Sequence, residues 1–104
     1  MSGGGCSELE PYALQVKGDS MMPEFWDGCI IIVEPGGYAA SGAFVIVDYA
    51  EDTVFRQIVI EGERRYLKPL NAEYPVTELT GSYTIRGVVV QRAGRRRSQH
   101  KRYA

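Results

Sequence analysis

Short apolar runs separated by turn residues dominate the chain, and few segments show a helical period. Residues 12–17 alternate apolar and polar positions after Pro11, which is typical of a half-buried strand. Residues 29–33 form a continuous apolar run and predict a strand that is buried on both faces. Gly87 predicts a bulge or bend in the last strand. The same criteria predict further strands at residues 43–49, 53–61, 64–69 and 83–91.

One short segment interrupts this β pattern. Residues 20–26 predict one or two helical turns, with Ser20 as the N-cap and the Asp27-Gly28 pair as their end. Many short strands at this spacing predict a mainly β domain with curled, partly barrel-like antiparallel sheets and one short helical turn after the serine. The expected organisation is a flexible N-terminal segment (1–10), one domain (11–91) and a basic C-terminal tail (92–104).

Length and composition fit a single small core. The chain has 104 residues, of which 44% are hydrophobic and 24% charged. Its longest apolar run, residues 29–33, is far shorter than the roughly 20 residues of a membrane span. The Gly-rich, acidic start does not resemble a secretory signal, so we expect a cytoplasmic protein without a membrane segment. Cys6 and Cys29 have no disulfide-framework or metal-site spacing and are expected to be free thiols.

Charge is distributed unevenly along the chain. Residues 1–91 contain six basic and 13 acidic side chains, whereas residues 92–104 contain six basic side chains and no acidic one. Such a tail can fold back on the acidic body, stay solvated, or follow nucleic-acid phosphates. Tyr103 is the only aromatic residue within the tail, and no recognition helix accompanies it. We therefore expect nucleic acid to bind only weakly, through Arg95, Arg96 and Arg97.

The chain lacks the residue patterns of most catalytic and cofactor sites. Its single histidine, His100, lies in the basic tail, and no Cys/His cluster or phosphate-binding glycine loop is present. Neither a metal nor a cofactor is expected. The remaining candidate is Ser20, at a strand-to-helix turn where a hydroxyl is exposed and backbone N–H groups converge. The alternative is that Ser20 only caps that turn.

Three stretches of the chain contain recognisable motifs, which follow one another in a characteristic order. They are VKGDSMMPEFWDGCIIIVEP (residues 16–35), FRQIVIEGERRYLKPLNAEYP (residues 55–75) and IRGVV (residues 85–89). Together they resemble the C-terminal domain of LexA, UmuD and the self-cleaving phage repressors. The Gly-Asp-Ser-Met box, the Leu-Lys-Pro-Leu-Asn box and the terminal Gly-Val-Val strand are jointly specific for that family. The resemblance implies a curled β domain of the LexA C-terminal kind.

The resemblance also implies a serine peptidase site. In the family a serine is the nucleophile and a lysine on a later strand is its general base, because burial can lower the pKa of a lysine towards neutrality. Ser20 matches the nucleophile position, and Arg56 stands at the position of the lysine. The implied substrate-binding residues are the neighbours of the serine, namely Gly18, Asp19, Met21 and Met22.

Arg56 is the point at which this chain departs most from the family pattern. An arginine keeps its proton at ordinary pH and cannot serve as a general base, so the dyad is incomplete and peptidase activity is in doubt. Lys17 or Lys68 could act as the base instead. Alternatively, Arg56 holds a carboxylate or a backbone carbonyl, and the cleavage groove has become a binding groove.

Two further departures concern the substrate and the neighbouring domain. Self-cleaving relatives carry an Ala-Gly or Cys-Gly bond upstream of the serine, and residues 1–19 contain neither. The one Ala-Gly pair is Ala93-Gly94, after the last predicted strand. No helix-turn-helix segment precedes the domain, so we expect a free-standing member that is closer in layout to UmuD, unless the chain is a fragment.

The family resemblance implies a regulatory role in SOS-response or prophage-type transcriptional control. It further implies a homodimer, a peptide or repressor-type protein partner, and a RecA-like activator. Two alternatives remain open. One is an active serine endopeptidase that uses another lysine and cuts itself or a partner. The other is a nucleic-acid accessory protein that uses the basic tail.

Overall fold

The structure is a computed structural model that describes residues 10–36, 38–93 and 100–103. Within these ranges eight strands form one antiparallel sheet, in the order β1-β2-β7-β3-β4-β5-β6 with β8 beside β7. The same ranges contain no helix, and hence none that could cross a membrane. The prediction of a mainly β, antiparallel fold is confirmed. The strands are β1 (Tyr12–Gln15), β2 (Ile30–Pro35), β3 (Phe44–Tyr49), β4 (Asp52–Glu61), β5 (Arg64–Lys68), β6 (Thr77–Glu78), β7 (Thr84–Ala93) and β8 (Lys101–Arg102).

The segment after the serine, which is predicted to form one or two helical turns, forms a short hydrogen-bonded turn that is not long enough to be a helix. The Phe25 N–H donates to the Met21 carbonyl at 2.9 Å, and the Met22 N–H donates to the Asp19 carbonyl at 3.2 Å. No further turn of helix follows, because Asp27 and Gly28 lead directly into β2. Two strands were not predicted: β6 and β8 contain two residues each, which is too short for a period of two to be recognised.

Apolar side chains are buried on both faces of the sheet. β3 illustrates this, because Ile46 belongs to one cluster whereas Val45 and Val47 belong to the other. The first core, which includes residues of the Ser20 turn, contains Val16, Met21, Phe25, Cys29, Ile31, Val33, Ile46 and Val89. The second core contains Ala39, Val45, Val47, Ile58, Leu67 and Leu79.

The apolar run in β2 is buried on one face only, so the prediction of burial on both faces is wrong. Ile31 and Val33 are 1% and 0% exposed, whereas Ile30 is 36% exposed. Alternate side chains of a strand point to opposite faces, and only the face with Ile31 and Val33 packs into the first core. A run of isoleucines carries no polar position that would have revealed this difference.

Gly87 marks a bulge, as predicted. β7 shifts its register against β3 next to Gly87, between Ile46 and Val47. A Cβ atom at position 87 would lie 2.5 Å from Cγ1 of Val33 and 2.8 Å from the carbonyl oxygen of Glu34. Any larger residue would therefore push β2 away from β7.

The described end of the chain folds back beside β7. β8 pairs with the last part of β7, and the Tyr103 N–H donates to the Val90 carbonyl at 2.8 Å. The Tyr103 ring then packs on Phe25 and Phe44, with ring centroids 5.2 and 5.3 Å away. Of the outcomes expected for the basic tail, residues 100–103 adopt the folded-back one. Residues 1–9, which include Cys6, and the arginines at positions 95–97 lie outside the described residues.

Glu24, Arg92, Lys101 and Tyr103 form what we call the Glu24 cluster. One carboxylate oxygen of Glu24 receives Arg92 Nη1 at 3.0 Å, Lys101 Nζ at 3.0 Å and the Tyr103 hydroxyl at 2.6 Å. Arg92 also lies 4.9 Å from the centre of the Trp26 ring. Burial raises the pKa of Glu24, but the hydrogen bonds from Tyr103 and Lys101 and the two cationic charges outweigh it and lower that pKa overall. The cluster holds the residues after Ser20 against the end of the chain.

Candidate functional site

Ser20 lies in a turn whose entry is fixed by a glycine. Gly18 has a φ of +87°, a conformation that side-chain-bearing residues rarely adopt. In this conformation the Gly18 N–H donates to the Asp27 carboxylate at 2.6 Å. Residue 16 and residues 28–29 are joined by further backbone hydrogen bonds, so both ends of the turn are held together. Gly18 therefore has a structural role in this turn, in addition to its place in the candidate motif.

The Leu-Lys-Pro-Leu-Asn box holds the serine turn from the other side. The backbone N–H of Asn71 donates to the Ser20 carbonyl at 3.0 Å, and its side-chain amide donates to the Asp19 carbonyl at 3.1 Å. The Tyr74 hydroxyl donates to the Asp19 carboxylate, and this hydrogen bond, with the charge of Asp19, raises the pKa of Tyr74. Two sequence boxes about 50 residues apart thus form one local structure.

Arg56 reaches Ser20 directly. Nη1 of Arg56 donates to Oγ of Ser20 at 3.0 Å and to the carbonyl of Phe55 at 2.8 Å. β4 presents Arg56 from a position opposite Val45 of β3, in the middle of the sheet. The serine hydroxyl accepts this hydrogen bond, and no backbone N–H of the described turn donates to it. The N-cap alternative for Ser20 therefore does not describe this turn.

The guanidinium of Arg56 is half-buried and has no acidic partner. Burial lowers the pKa of Arg56 from its usual value, as expected when a cation leaves water. An arginine nevertheless remains protonated at physiological pH. Across the part of the chain that the structure describes, ion pairs join Arg64, Arg86, Arg92 and Lys101 to carboxylates, and Arg56 belongs to none of these pairs. Chemically, Arg56 can donate hydrogen bonds and stabilise negative charge, but it cannot accept a proton.

Ser20 and Arg56 line a groove of about 410 Å³. Residues 14–20, from β1 and the segment after it, form one wall, and residues 53–56 of β4 form the other. The buried side chains of Ile31 and Ile46 lie between the walls, and Tyr74 completes the lining. We call this cavity the Ser20 groove. It is mostly apolar, with a small number of polar groups, which is typical of ligand-binding clefts.

The structure separates the remaining predicted site residues into two groups. Gly18 and Asp19 line the Ser20 groove beside the serine. Met21 is 1% exposed and packs in the first core, and Met22 is 39% exposed; neither lines the groove. The physical reason is the turn itself, which directs Met21 inward beside Phe25.

The two alternative lysines also differ in position. Lys17 lies in the wall of the Ser20 groove, next to Gly18. Lys68 lines a different hollow, together with Val59 and Tyr66 on the far half of the sheet. Only Lys17 therefore shares a cavity with the serine.

Tyr74 is the groove residue that sequence reasoning missed. An aromatic residue of a small β domain is expected in the core or on a sheet face, yet the Tyr74 hydroxyl binds Asp19 and its side chain lines the groove. The signal available in the sequence is its place three residues after Asn71, within residues 55–75, one of the stretches that carry the family resemblance. Among the residues from 10 to 36, 38 to 93 and 100 to 103, no three potential metal ligands cluster.

Comparison with known proteins finds a family whose sequence profile matches this chain. The sequence profile described as "Peptidase S24-like" matches residues 7–90. The chain is 43% identical over 90 residues to the HTH-type transcriptional regulator for conjugative element R391 of Providencia rettgeri, covering 77% of this chain and 40% of that protein.

Two phage- and LexA-type proteins are also similar. Repressor protein C2 of Salmonella phage P22 is 37% identical over 94 residues, covering 82% of this chain and 42% of the repressor. The LexA repressor of Methylococcus capsulatus is 31% identical over 83 residues, covering 76% and 41%. The chain spans about two fifths of the length of these curated relatives.

Proposed function

The chain belongs to the Peptidase S24-like family, and we propose that it is a regulatory domain of the transcriptional-repressor type whose peptidase site lacks a general base. The relatives named above are repressors and a transcriptional regulator, which supports the regulatory part of the proposal. The Ser20 groove supports the second part, because Ser20 and Arg56 occupy the nucleophile and lysine positions that the family resemblance implies.

The observation that carries the proposal is the 3.0 Å hydrogen bond from Arg56 Nη1 to Ser20 Oγ. A serine becomes a nucleophile when an adjacent base takes its proton. The guanidinium occupies the place beside the hydroxyl from which a base would act, and its N–H donates a hydrogen bond to the oxygen instead of accepting a proton from it. The serine hydroxyl is thus positioned but not activated.

Lys17 supports the competing proposal of an active serine endopeptidase, because it lines the same groove as Ser20. We favour the inactive site for a geometric reason. The Ser20 hydroxyl is hydrogen-bonded to Arg56, whereas no hydrogen bond joins Lys17 to Ser20 in the described structure.

The wider setting is also part of the proposal. We place residues 11–91 as the domain and 92–104 as a basic extension, in a cytoplasmic homodimer that serves SOS-response or prophage-type control. A peptide or repressor-type protein would be its partner, and a RecA-like filament its activator. This chain matches about two fifths of the curated relatives, and we assign DNA binding to a separate region that corresponds to the other three fifths.

Intact-mass spectrometry after alkaline incubation with a pool of Ala-Gly and Cys-Gly peptides tests the proposal. Wild type and Ser20→Ala should leave the chain and the peptides uncut, because no base is available. Arg56→Lys should cut, because a half-buried lysine can lose its proton at alkaline pH.

Two results would contradict this proposal. Cutting by wild type that Ser20→Ala abolishes would show a working peptidase, with Lys17 as the first base to examine. Absence of cutting by Arg56→Lys would show that the site differs from an active one in more than its base.

A further inference from the structure

The Ser20 groove lies between two strand edges that lack a partner on the groove side. β1 pairs only with β2, so among the described residues its outer edge is open. β4 pairs with β3 along its whole length, but β5 begins to pair only at Gln57. Residues 52–56 of β4 therefore have a free edge, and residues 53–56 line the groove. Unpaired backbone N–H and C=O groups at such edges bind an extended chain by adding it as a strand.

The cation in this groove is not neutralised by the protein. Both described hydrogen bonds of Arg56 come from Nη1, so among the described residues Nε and Nη2 have no acceptor. A half-buried guanidinium with unused donors and no carboxylate is unfavourable in the empty groove. A carboxylate from a ligand would use the remaining donors and remove that cost, since a guanidinium fork matches a carboxylate in geometry.

The rest of the lining favours the same kind of ligand. Lys17 adds a second positive charge, and Asp19 is the only acid in the lining. One oxygen of Asp19 already accepts the Tyr74 hydroxyl. Between the walls, Leu14, Ile31 and other apolar side chains offer contact for aliphatic groups rather than for a sugar-phosphate backbone.

We propose that the Ser20 groove binds an extended peptide with aliphatic side chains and presents Arg56 to a carboxylate of that peptide. The carboxylate is either the C-terminal one or that of an Asp or Glu side chain. This inference rests on the proposed function, since a groove that cuts its ligand would not retain it. The serine hydroxyl, held by Arg56, then serves as a hydrogen-bonding group and not as a nucleophile.

Fluorescence polarisation with three labelled peptides tests this inference on the full chain. The first is Thr-Val-Val-Val-Ala, labelled at its N-terminal amine and with a free C-terminal carboxylate, the second is its C-terminal amide, and the third is the amide with Asp in place of the last Ala. We expect either the first or the third peptide to bind at least about tenfold more tightly than the neutral amide. Preference for the first identifies the C-terminal carboxylate, and preference for the third identifies the side chain.

Matched variants locate the effect. Arg56→Gln should remove the preference for the carboxylate, because an amide cannot supply a charged fork. Arg86→Gln is the control: it removes an arginine that pairs with Asp48 on the surface and does not line the groove, and it should bind like wild type. Urea denaturation of both variants verifies that they are folded.

Three results would overturn the inference. Equal binding of all three peptides would show that Arg56 does not recognise a carboxylate, and an unchanged preference in Arg56→Gln would place the recognition elsewhere. Displacement of the peptide by inorganic phosphate at equal concentration would show a general anion site. These failures are separable from failure of the proposed function, because the proposed function is tested by cutting in the mass-spectrometry experiment and not by peptide binding.

Discussion

Two arginines hold the same short turn from opposite sides, and their surroundings differ in one respect. Arg56 donates to Ser20 Oγ at 3.0 Å in the Ser20 groove, and Arg92 donates to the Glu24 carboxylate at 3.0 Å in the Glu24 cluster. Arg92 has a carboxylate and an aromatic ring beside it, whereas Arg56 has a hydroxyl and a carbonyl.

This difference distinguishes an arginine that stabilises the fold from one that is available to bind a ligand. In the Glu24 cluster the negative charge is supplied by the protein, and the side chains of Arg92 and Glu24 are only 13% and 25% exposed. In the Ser20 groove the charge of Arg56 is left to be matched from outside. These two arginines of the same sheet therefore carry opposite expectations for stability.

Removal of the Glu24 carboxylate should have the largest effect on the free energy of unfolding. We expect Glu24→Gln to lower the free energy of unfolding by about 2 kcal/mol, because Arg92 and Lys101 would lose their shared partner. Urea denaturation measures the change. Glu63→Gln, in the exposed turn between β4 and β5, is the control and should stay within about 0.5 kcal/mol of wild type. Equal changes in the two variants would show that the Glu24 carboxylate does not stabilise the fold.

Replacement of each arginine by an apolar residue should give opposite signs. Arg92→Met should lower the free energy of unfolding by about 1.5 kcal/mol, since Glu24 and Trp26 lose a partner. Arg56→Met should raise it by up to about 1 kcal/mol, because an unmatched cation is removed. Arg86→Met, in an exposed ion pair, should change it by less than about 0.5 kcal/mol. A large loss of stability in Arg56→Met would remove the distinction between the two sites.

The pH dependence of stability gives the smallest and most specific test. Burial raises the pKa of Glu24, but the hydrogen bonds of Tyr103 and Lys101 and the cationic charges lower it overall from 4.5. The carboxylate therefore contributes stability that is present above that value and is lost as the pH falls through the lowered pKa of the folded state. Urea denaturation between about pH 6 and about pH 3 should show a steeper loss for wild type than for Glu24→Gln. Parallel curves would contradict the lowered pKa.

Part of this arrangement could be predicted from the sequence. Alternation and turn residues place most of the long strands, and Gly87 indicates its bulge. The juxtaposition of Ser20 with Arg56 is a long-range contact that no local pattern carries; it came from the family resemblance. Their roles in binding remain predictions.

The Glu24 cluster could not be predicted, for a physical reason. Glu24 and Tyr103 are separated by most of the chain, and each is unremarkable in its own segment. A two-residue strand such as β8 has no periodic signal, and a run of basic residues is usually solvated. Tertiary contact alone turns Tyr103 from a tail residue into a partner of the first core. Met21 shows the converse, because its place beside the serine suggested a ligand contact while the turn directs it inward.

Trp26, the only tryptophan of the chain, lies under Arg92 at the border between the two regions. Its emission therefore reports on the Glu24 cluster and not directly on the Ser20 groove, whose lining does not include it. Residues 20–26 are the short stretch that joins the two. Any change in indole fluorescence when a ligand fills the groove would have to be transmitted through that stretch. The tryptophan fluorescence of this protein therefore measures the coupling between the Ser20 groove and the Glu24 cluster.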